Sequence, residues 1–247
     1  EEYDAIVIGG GPAGCAAATA SAREGAKTLL VEQISCLGGM ATAGLVPTFG
    51  PYSDKQKLIY GGLSLRILND MKAGMPHIEK NRIDWIQIDP ELLKRILDDL
   101  VTGAGATVLF NTVMAGVEAK DGVVQTVFLA NKAGLTAYRA KVFVDCSGDA
   151  DLAAWAGAEF LVGNESGEVQ PVTHCFRLAN IDDYAYRTGK WLHGSNENRE
   201  IFQILAEKTY HLIPDRNNYN PLIGPGIVGY NAGHIWKIEV TYTDPKH

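Results

Sequence analysis

The sequence predicts an α/β fold: a parallel sheet carrying a three-stranded antiparallel insertion, joined to part of a second, α+β unit. Three observations carry this. Residues 4–32 read strand, glycine turn, helix, strand, acid. A second apolar strand, at 141–145, runs into a Ser-Gly-Asp turn and a short helical stretch. Between them, two alternating runs flank Asp121-Gly122, a strong hairpin signal.

The apolar run Ala5 to Ile8 predicts a buried parallel strand. Gly9, Gly11 and Gly14 follow with GxGxxG spacing, and a helix of small residues is expected from about Pro12 to Glu24. Thr28 to Val31 then predicts a second strand ending in Glu32, 18 positions after Gly14. Together these make a Rossmann-like βαβ unit that binds a dinucleotide. Gly9 turns the chain out of the strand, Gly11 admits a pyrophosphate to the backbone, and Gly14 lets the helix pack close. Pro12 suits the first helical turn. The helix N-terminus offers N–H groups and partial positive charge to the pyrophosphate. Glu32 is placed to accept hydrogen bonds from ribose hydroxyls.

After Glu32 comes a long loop rich in Gly, Pro, Thr and Ser, running to about Asp54. Residues 55–73 have helical spacing in Leu58, Leu63, Ile67, Leu68 and Met71, with Gly61 and Gly62 marking the true start. Residues 85–89, WIQID, alternate like a strand. Asp89 is read as the cap of a helix with Pro90 first and an apolar face of Leu92, Leu93, Ile96, Leu97 and Leu100. The helix ends at Gly103 and Gly105, and ATVLF follows as a buried strand. The hairpin strands come next, then a third strand at roughly Leu135 to Arg139. A separate parallel strand is expected at 141–145. From about Ala158 the texture changes to mixed polar strands, more aromatics and an Asn/Pro/Gly-rich stretch at 214–233.

Bulk properties narrow the function. The 247 residues suffice for one large or two modest domains, and 46% hydrophobic with 21% charged residues is ordinary for a globular chain. A net charge of −7 without a dense Lys/Arg patch argues against nucleic-acid or anionic-membrane partners. No apolar run reaches the length that spans a bilayer. The chain begins at Glu1 rather than Met, so a preceding segment is expected to have been removed. Cys15, Cys36, Cys146 and Cys175 form no CxxC pair, so no iron–sulfur or zinc site is expected. They are read as reduced thiols in a cytoplasmic setting, with Cys15, Cys36 and Cys146 as packing residues.

With these stretches in place, the chain resembles the FAD-dependent oxidoreductases with a glutathione-reductase-type or succinate-dehydrogenase-type flavin domain. More narrowly, it resembles the bacterial group that includes the flavin domain of heterodisulfide reductase. The resemblance lies in VIGGGPAGCAAA…LLVE, in LGGMATAGLVP at 37–47 and in KVFVDCSGDADLAAWAGA at 141–158. QPVTHCFRL at 170–178 and YNAGH at 230–234 add to it. It implies FAD as cofactor, an FAD-binding domain at 1–157 and a partial substrate domain at 158–247. Gly9, Gly11, Pro12, Ala13 and Gly14 would hold the pyrophosphate; Glu32 would bind the adenosine ribose, with Gln33 beside it. Gly38, Gly39, Met40, Ala41 and Thr42 would run towards the flavin. The backbone of Val113 would meet adenine, and Ser147, Gly148 and Asp149 would return the chain to the cofactor. The resemblance also implies a C-terminal return to the flavin domain. This chain ends in TYTDPKH without one, so it is read as a fragment or as one of two chains.

The expected chemistry is hydride transfer between a small organic substrate and FAD, with a separate electron acceptor of unknown identity. His174, Arg177 and His234 are the substrate-side candidates: a histidine can move a proton and an arginine can pair with a carboxylate. Each also reads as an ordinary sheet or loop residue. Asp149 and Asp151 are read as helix caps rather than metal ligands, and no metal is expected. Gly224, Gly226 and Gly229 repeat the GxGxxG spacing, but Pro221 and Pro225 crowd it and no helix-forming run follows, so it reads as a Gly/Pro loop. His77, His193, His211 and His247 suggest no role; Trp85, Trp155, Trp191 and Trp236 read as core or interface residues. Two alternatives stay open: a non-catalytic or electron-transfer subunit that binds flavin or nucleotide, and an NAD-dependent dehydrogenase, since Glu32 suits either ribose. A homo-oligomer is also left open.

Overall fold

The computed structural model describes residues 1–188 and 221–235. They form two compact units. The first takes Glu1–Ala43, Gly62–Asp70 and Pro90–Phe160; the second takes Gly44–Gly61, Met71–Asp89 and the described residues from Leu161 on.

In the first unit, β1 (Glu2–Ile8), α1 (Pro12–Arg23) and β2 (Thr28–Val31) form the expected βαβ unit. Helix α2 (Gly62–Gly74), of which Gly62–Asp70 belong to this unit, begins at the paired glycines, and α3 (Pro90–Gly103) begins at the expected proline. Then follow β3 (Thr107–Leu109), β4 (Val113–Lys120), β5 (Val123–Asn131), β6 (Gly134–Asp145) and α4 (Asp151–Trp155). One six-stranded sheet results, in the order β3-β2-β1-β6-β5-β4.

The third antiparallel strand and the returning parallel strand are one element, not two. The first part of β6, Gly134 to Tyr138, pairs antiparallel with β5. Its remainder, Arg139 to Asp145, pairs parallel with β1. Arg139, Ala140 and Lys141 contain no turn residue, so nothing interrupts the extended backbone. A single strand thus delivers the 145–149 turn directly beside the end of β1.

The core sits where the antiparallel ribbon meets the parallel strands. Ile6, Ile8, Leu29 and Val31 bury one face of β1 and β2 against Val127 and Leu129 of β5 and Leu152 of α4. Val7 and Leu30 alternate to the other face, where α1 packs on both strands and α3 packs on α1. Each fully buried aliphatic side chain here contributes about 1.5–3 kcal/mol.

The second unit holds a three-stranded antiparallel sheet in the order β7-β9-β8: β7 (Val172–Leu178), β8 (Leu222–Gly224) and β9 (Ile227–Ile235). A short helix, α5 (Asp183–Thr188), belongs to the same unit. The second GxGxxG is the β8–β9 hairpin: Gly226 takes φ +63° at the turn, and a strand rather than a helix follows. The strand expected at 85–89 does not form; only an isolated bridge joins Thr48 to Gln87. Trp85 adopts φ +51°, which breaks the extended run. The Asp84 carboxylate fastens the loop instead, accepting the Tyr52 and Ser53 N–H groups at 2.9 and 3.0 Å and the Ser53 hydroxyl at 2.7 Å. Trp191, Trp236, His193, His211 and His247 lie outside the described residues.

Candidate functional site

The glycine turn at the carboxyl end of β1 is fixed by backbone contacts. Gly9 takes φ +99°, and a Cβ there would strike the carbonyl of Cys146 at the end of β6. A Cβ on Gly14 would strike the Gly9 carbonyl, so α1 reaches β1 only with glycine at 14. Position 11 differs: a Cβ there would meet no atom within 4 Å. Gly11 is also the N-cap of α1 and has no side chain to satisfy the first-turn N–H groups. The space above Gly11 and the uncapped helix end are what a pyrophosphate cradle requires.

Glu32 is buried, 5% exposed, and its two oxygens anchor neighbouring backbone. Oε2 accepts the Gly10 N–H at 2.7 Å and Oε1 accepts the Ile34 N–H at 2.9 Å. Each oxygen keeps a further lone pair. Gln33 beside it is exposed. The Glu32 carbonyl accepts the Thr112 N–H at 3.1 Å, which places the start of β4, Val113, next to this segment.

The second glycine loop is tied to the first. The Gly38 N–H donates to the Gly10 carbonyl at 2.8 Å. Gly38 takes φ +103°, and a Cβ on Gly39 would stand 3.2 Å from Gly11 Cα. Thr42 is fully buried and donates to the Leu37 carbonyl at 2.6 Å, closing the loop from behind. Ala41 is buried, whereas Met40 is 66% exposed. Thr42 and Ala41 thus shape the loop, and Gly39 and Met40 form its accessible surface.

The turn after β6 is built differently from expectation. Asp149 does not cap α4, and neither does Asp151. The Ser147 hydroxyl accepts the Asp151 N–H at 2.9 Å, and Asp145 Oδ2 accepts the Ala153 N–H at 2.9 Å. Asp145 Oδ1 also takes the Ser147 hydroxyl at 2.7 Å. Ala150 at the N-cap takes φ +61°, and Asp149 before it is exposed. Burial pushes the Asp145 carboxyl up, but the donors from Ser147, Ala153 and Leu152 outweigh it and hold its pKa below the usual carboxylate value. Gly148 and Asp149 are exposed at this turn.

Gly10 and Asp145 are structural nodes of these turns that the motif reading passed over. Gly10 is the unnamed position of GxGxxG, yet a Cβ there would come within 2.8 Å of Glu32 Oε2. Asp145, at the end of an apolar strand, caps α4 in place of the expected Asp149 and Asp151.

The profile of FAD-dependent oxidoreductases matches residues 4–246. The chain belongs to the FAD-dependent oxidoreductase family. Digeranylgeranylglycerophospholipid reductase of Thermoplasma volcanium is 28% identical over 199 residues, covering 74% of this chain and 48% of the reductase. The enzyme of the same name from Thermoplasma acidophilum is 26% identical over the same shares. This member of the family therefore spans about half the length of the curated relatives it matches. The fold is also that of a geranylgeranyl bacteriochlorophyll reductase-like protein from T. acidophilum, with a TM-score of 0.56 at 18% identity, over 94% of this chain and 56% of that one.

The residues of this family member fit FAD, given the open space at Gly11 and the uncapped α1 N-terminus. The second unit sorts the three substrate-side candidates. Cys175 pairs with Asn231 across β7 and β9, its thiol 3.7 Å from the Asn231 carbonyl oxygen, and Thr173 pairs with His234. Alternation puts Arg177 on that same face. His174 projects from the opposite face with Phe176, whose ring stacks on Tyr230 at 4.8 Å. Arg177 and His234 thus share a face, and His174 does not join them. Among the described residues, no group of His, Cys, Asp and Glu is placed to hold a metal, and no helix is long and apolar enough to cross a membrane.

Proposed function

We propose that this chain binds FAD along its two tied glycine loops and serves hydride transfer between a small organic substrate and the flavin, with a separate electron acceptor. The observation that carries this is the Gly38–Gly10 hydrogen bond of 2.8 Å, which joins two sequence-separated loops around the open space at Gly11. In this reading Gly9, Gly11, Pro12, Ala13 and Gly14 hold the pyrophosphate, and Glu32 and Gln33 hold the ribose. Gly38 to Thr42 follow the cofactor towards the flavin, the Val113 backbone meets adenine, and Ser147, Gly148 and Asp149 close the turn. Bound FAD supplies the hydride donor or acceptor; the chain supplies position and electrostatics.

Arg177 and His234 are the proposed substrate-side pair, because one sheet face presents both. Arg177 suits an anionic group and His234 a proton transfer. His174 lies with the aromatic face. Residues 1–157 are proposed as the FAD-binding domain and 158–247 as part of the substrate domain. Heat release of the bound ligand, followed by its mass, tests the cofactor. Anaerobic loss of visible flavin absorption on adding candidate substrates tests the reaction. A protein that holds FAD but is never bleached by substrate, and turns over no artificial acceptor, would be a binding subunit instead.

A further inference from the structure

Cys15 is buried with no exposed surface in the fourth position of α1, where neighbouring Ala16, Ala17 and Ala18 show that small apolar side chains suit the helix. Its thiol is nonetheless engaged. Sγ donates to the Gly10 carbonyl at 3.3 Å, and that same oxygen accepts the Gly38 N–H at 2.8 Å. On the other side of the residue, the Gly10 N–H is held by Glu32 Oε2 at 2.7 Å. Gly10 is therefore the node at which α1, the second glycine loop and the ribose-side acid meet, and Cys15 is the helix's contribution to it.

We propose that Cys15 is a positioning residue for FAD: its thiol fixes the Gly10 carbonyl so that the Gly38 loop stays docked on the first glycine turn. Burial pushes the thiol up to about 12, which favours the protonated, donating form at neutral pH. A thiol is a weak donor, and the effect works through Gly38 rather than by contact with the cofactor. The expected change is accordingly modest. The inference rests on the FAD reading above.

The test compares Cys15→Ala, which removes the donor, with Cys15→Ser, which keeps one. FAD affinity is measured by reconstitution of the apoprotein, and exchange of the Gly38 amide is measured on the apoprotein. Cys15→Ala should weaken FAD binding and speed Gly38 exchange, each about three- to tenfold, as for loss of one hydrogen bond. Cys15→Ser should recover part of both. Equal FAD affinity in the two variants, with Gly38 exchange unchanged, would overturn the proposal and leave Cys15 as packing. Wild-type protein that takes up no FAD would overturn the cofactor role together with the flavin reading. Gly38 exchange separates the two failures, since faster exchange in Cys15→Ala keeps the clamp even then.

Discussion

Gly10 and Glu32 hold one another across the glycine turn: the Gly10 N–H donates to Glu32 Oε2 at 2.7 Å, and a Cβ at position 10 would stand 2.8 Å from that oxygen. Gly10→Ala must therefore displace both this buried carboxylate and the Leu37 side chain, 2.7 Å from the same Cβ. Overpacking of this kind costs about 1–3 kcal/mol. Chemical denaturation should show that loss, and the displaced Glu32 should weaken FAD binding at least tenfold.

Gly11 and Gly14 separate ligand binding from folding. A Cβ on Gly11 meets nothing in the protein, and its backbone is compatible with alanine. Gly11→Ala should leave the apoprotein melting temperature within about 2 °C of wild type, as for a surface change. It should still reduce FAD affinity about tenfold or more, because the added methyl occupies the cofactor's space. Gly14→Ala collides with the Gly9 carbonyl and should destabilise the fold itself. Paired melting and FAD-binding curves distinguish the two.

Asp145 gives a pH signature. Its folded-state pKa lies below the usual value, so its stabilisation is fully present above the unfolded pKa of about 4 and is lost as pH falls through the folded one. Asp145→Asn should lose on the order of 1 kcal/mol at pH 7, given partial solvent screening. The gap between variant and wild type should close as the pH drops below about 4. Thermal melts from pH 7 to pH 2 would show it.

Opposite sheet faces divide the substrate-side candidates. Arg177→Met should lower kcat/KM about 10- to 100-fold, the range for a lost charged hydrogen bond, and His234→Ala should act in the same direction. His174→Ala should change it less than about threefold. Steady-state rates with an artificial acceptor check this, and a dominant His174 effect would move the substrate to the aromatic face.

The βαβ unit was legible because its signals are local: an apolar run, three spaced glycines, a small-residue helix and an acid. The α3 start at Pro90 and the Asp121-Gly122 hairpin were legible for the same reason. What escaped reading depends on partners distant in sequence. Gly10 carries no local mark of its role, which appears only when Glu32 folds back on it. β6 was split in two because its register partner changes from β5 to β1 midway, although no turn residue interrupts it. Asp149 and Asp151 looked like caps, but the left-handed Ala150 hands capping to Asp145 and Ser147. His174 and Arg177 are near in sequence, but the period of two in β7 places them on opposite faces, which only the strand register reveals.

Two hydrogen-bonded glycine loops are proposed to make the FAD site. The most direct measurement is FAD titration of the full-length apoprotein, followed by absorption and flavin fluorescence, for wild type and Gly11→Ala side by side. The expected result is saturable uptake by wild type, with release of FAD on heating, and strongly weakened uptake by a variant that melts at the same temperature. A folded wild-type protein that takes up no FAD, or a Gly11→Ala variant that binds it equally well, would contradict it.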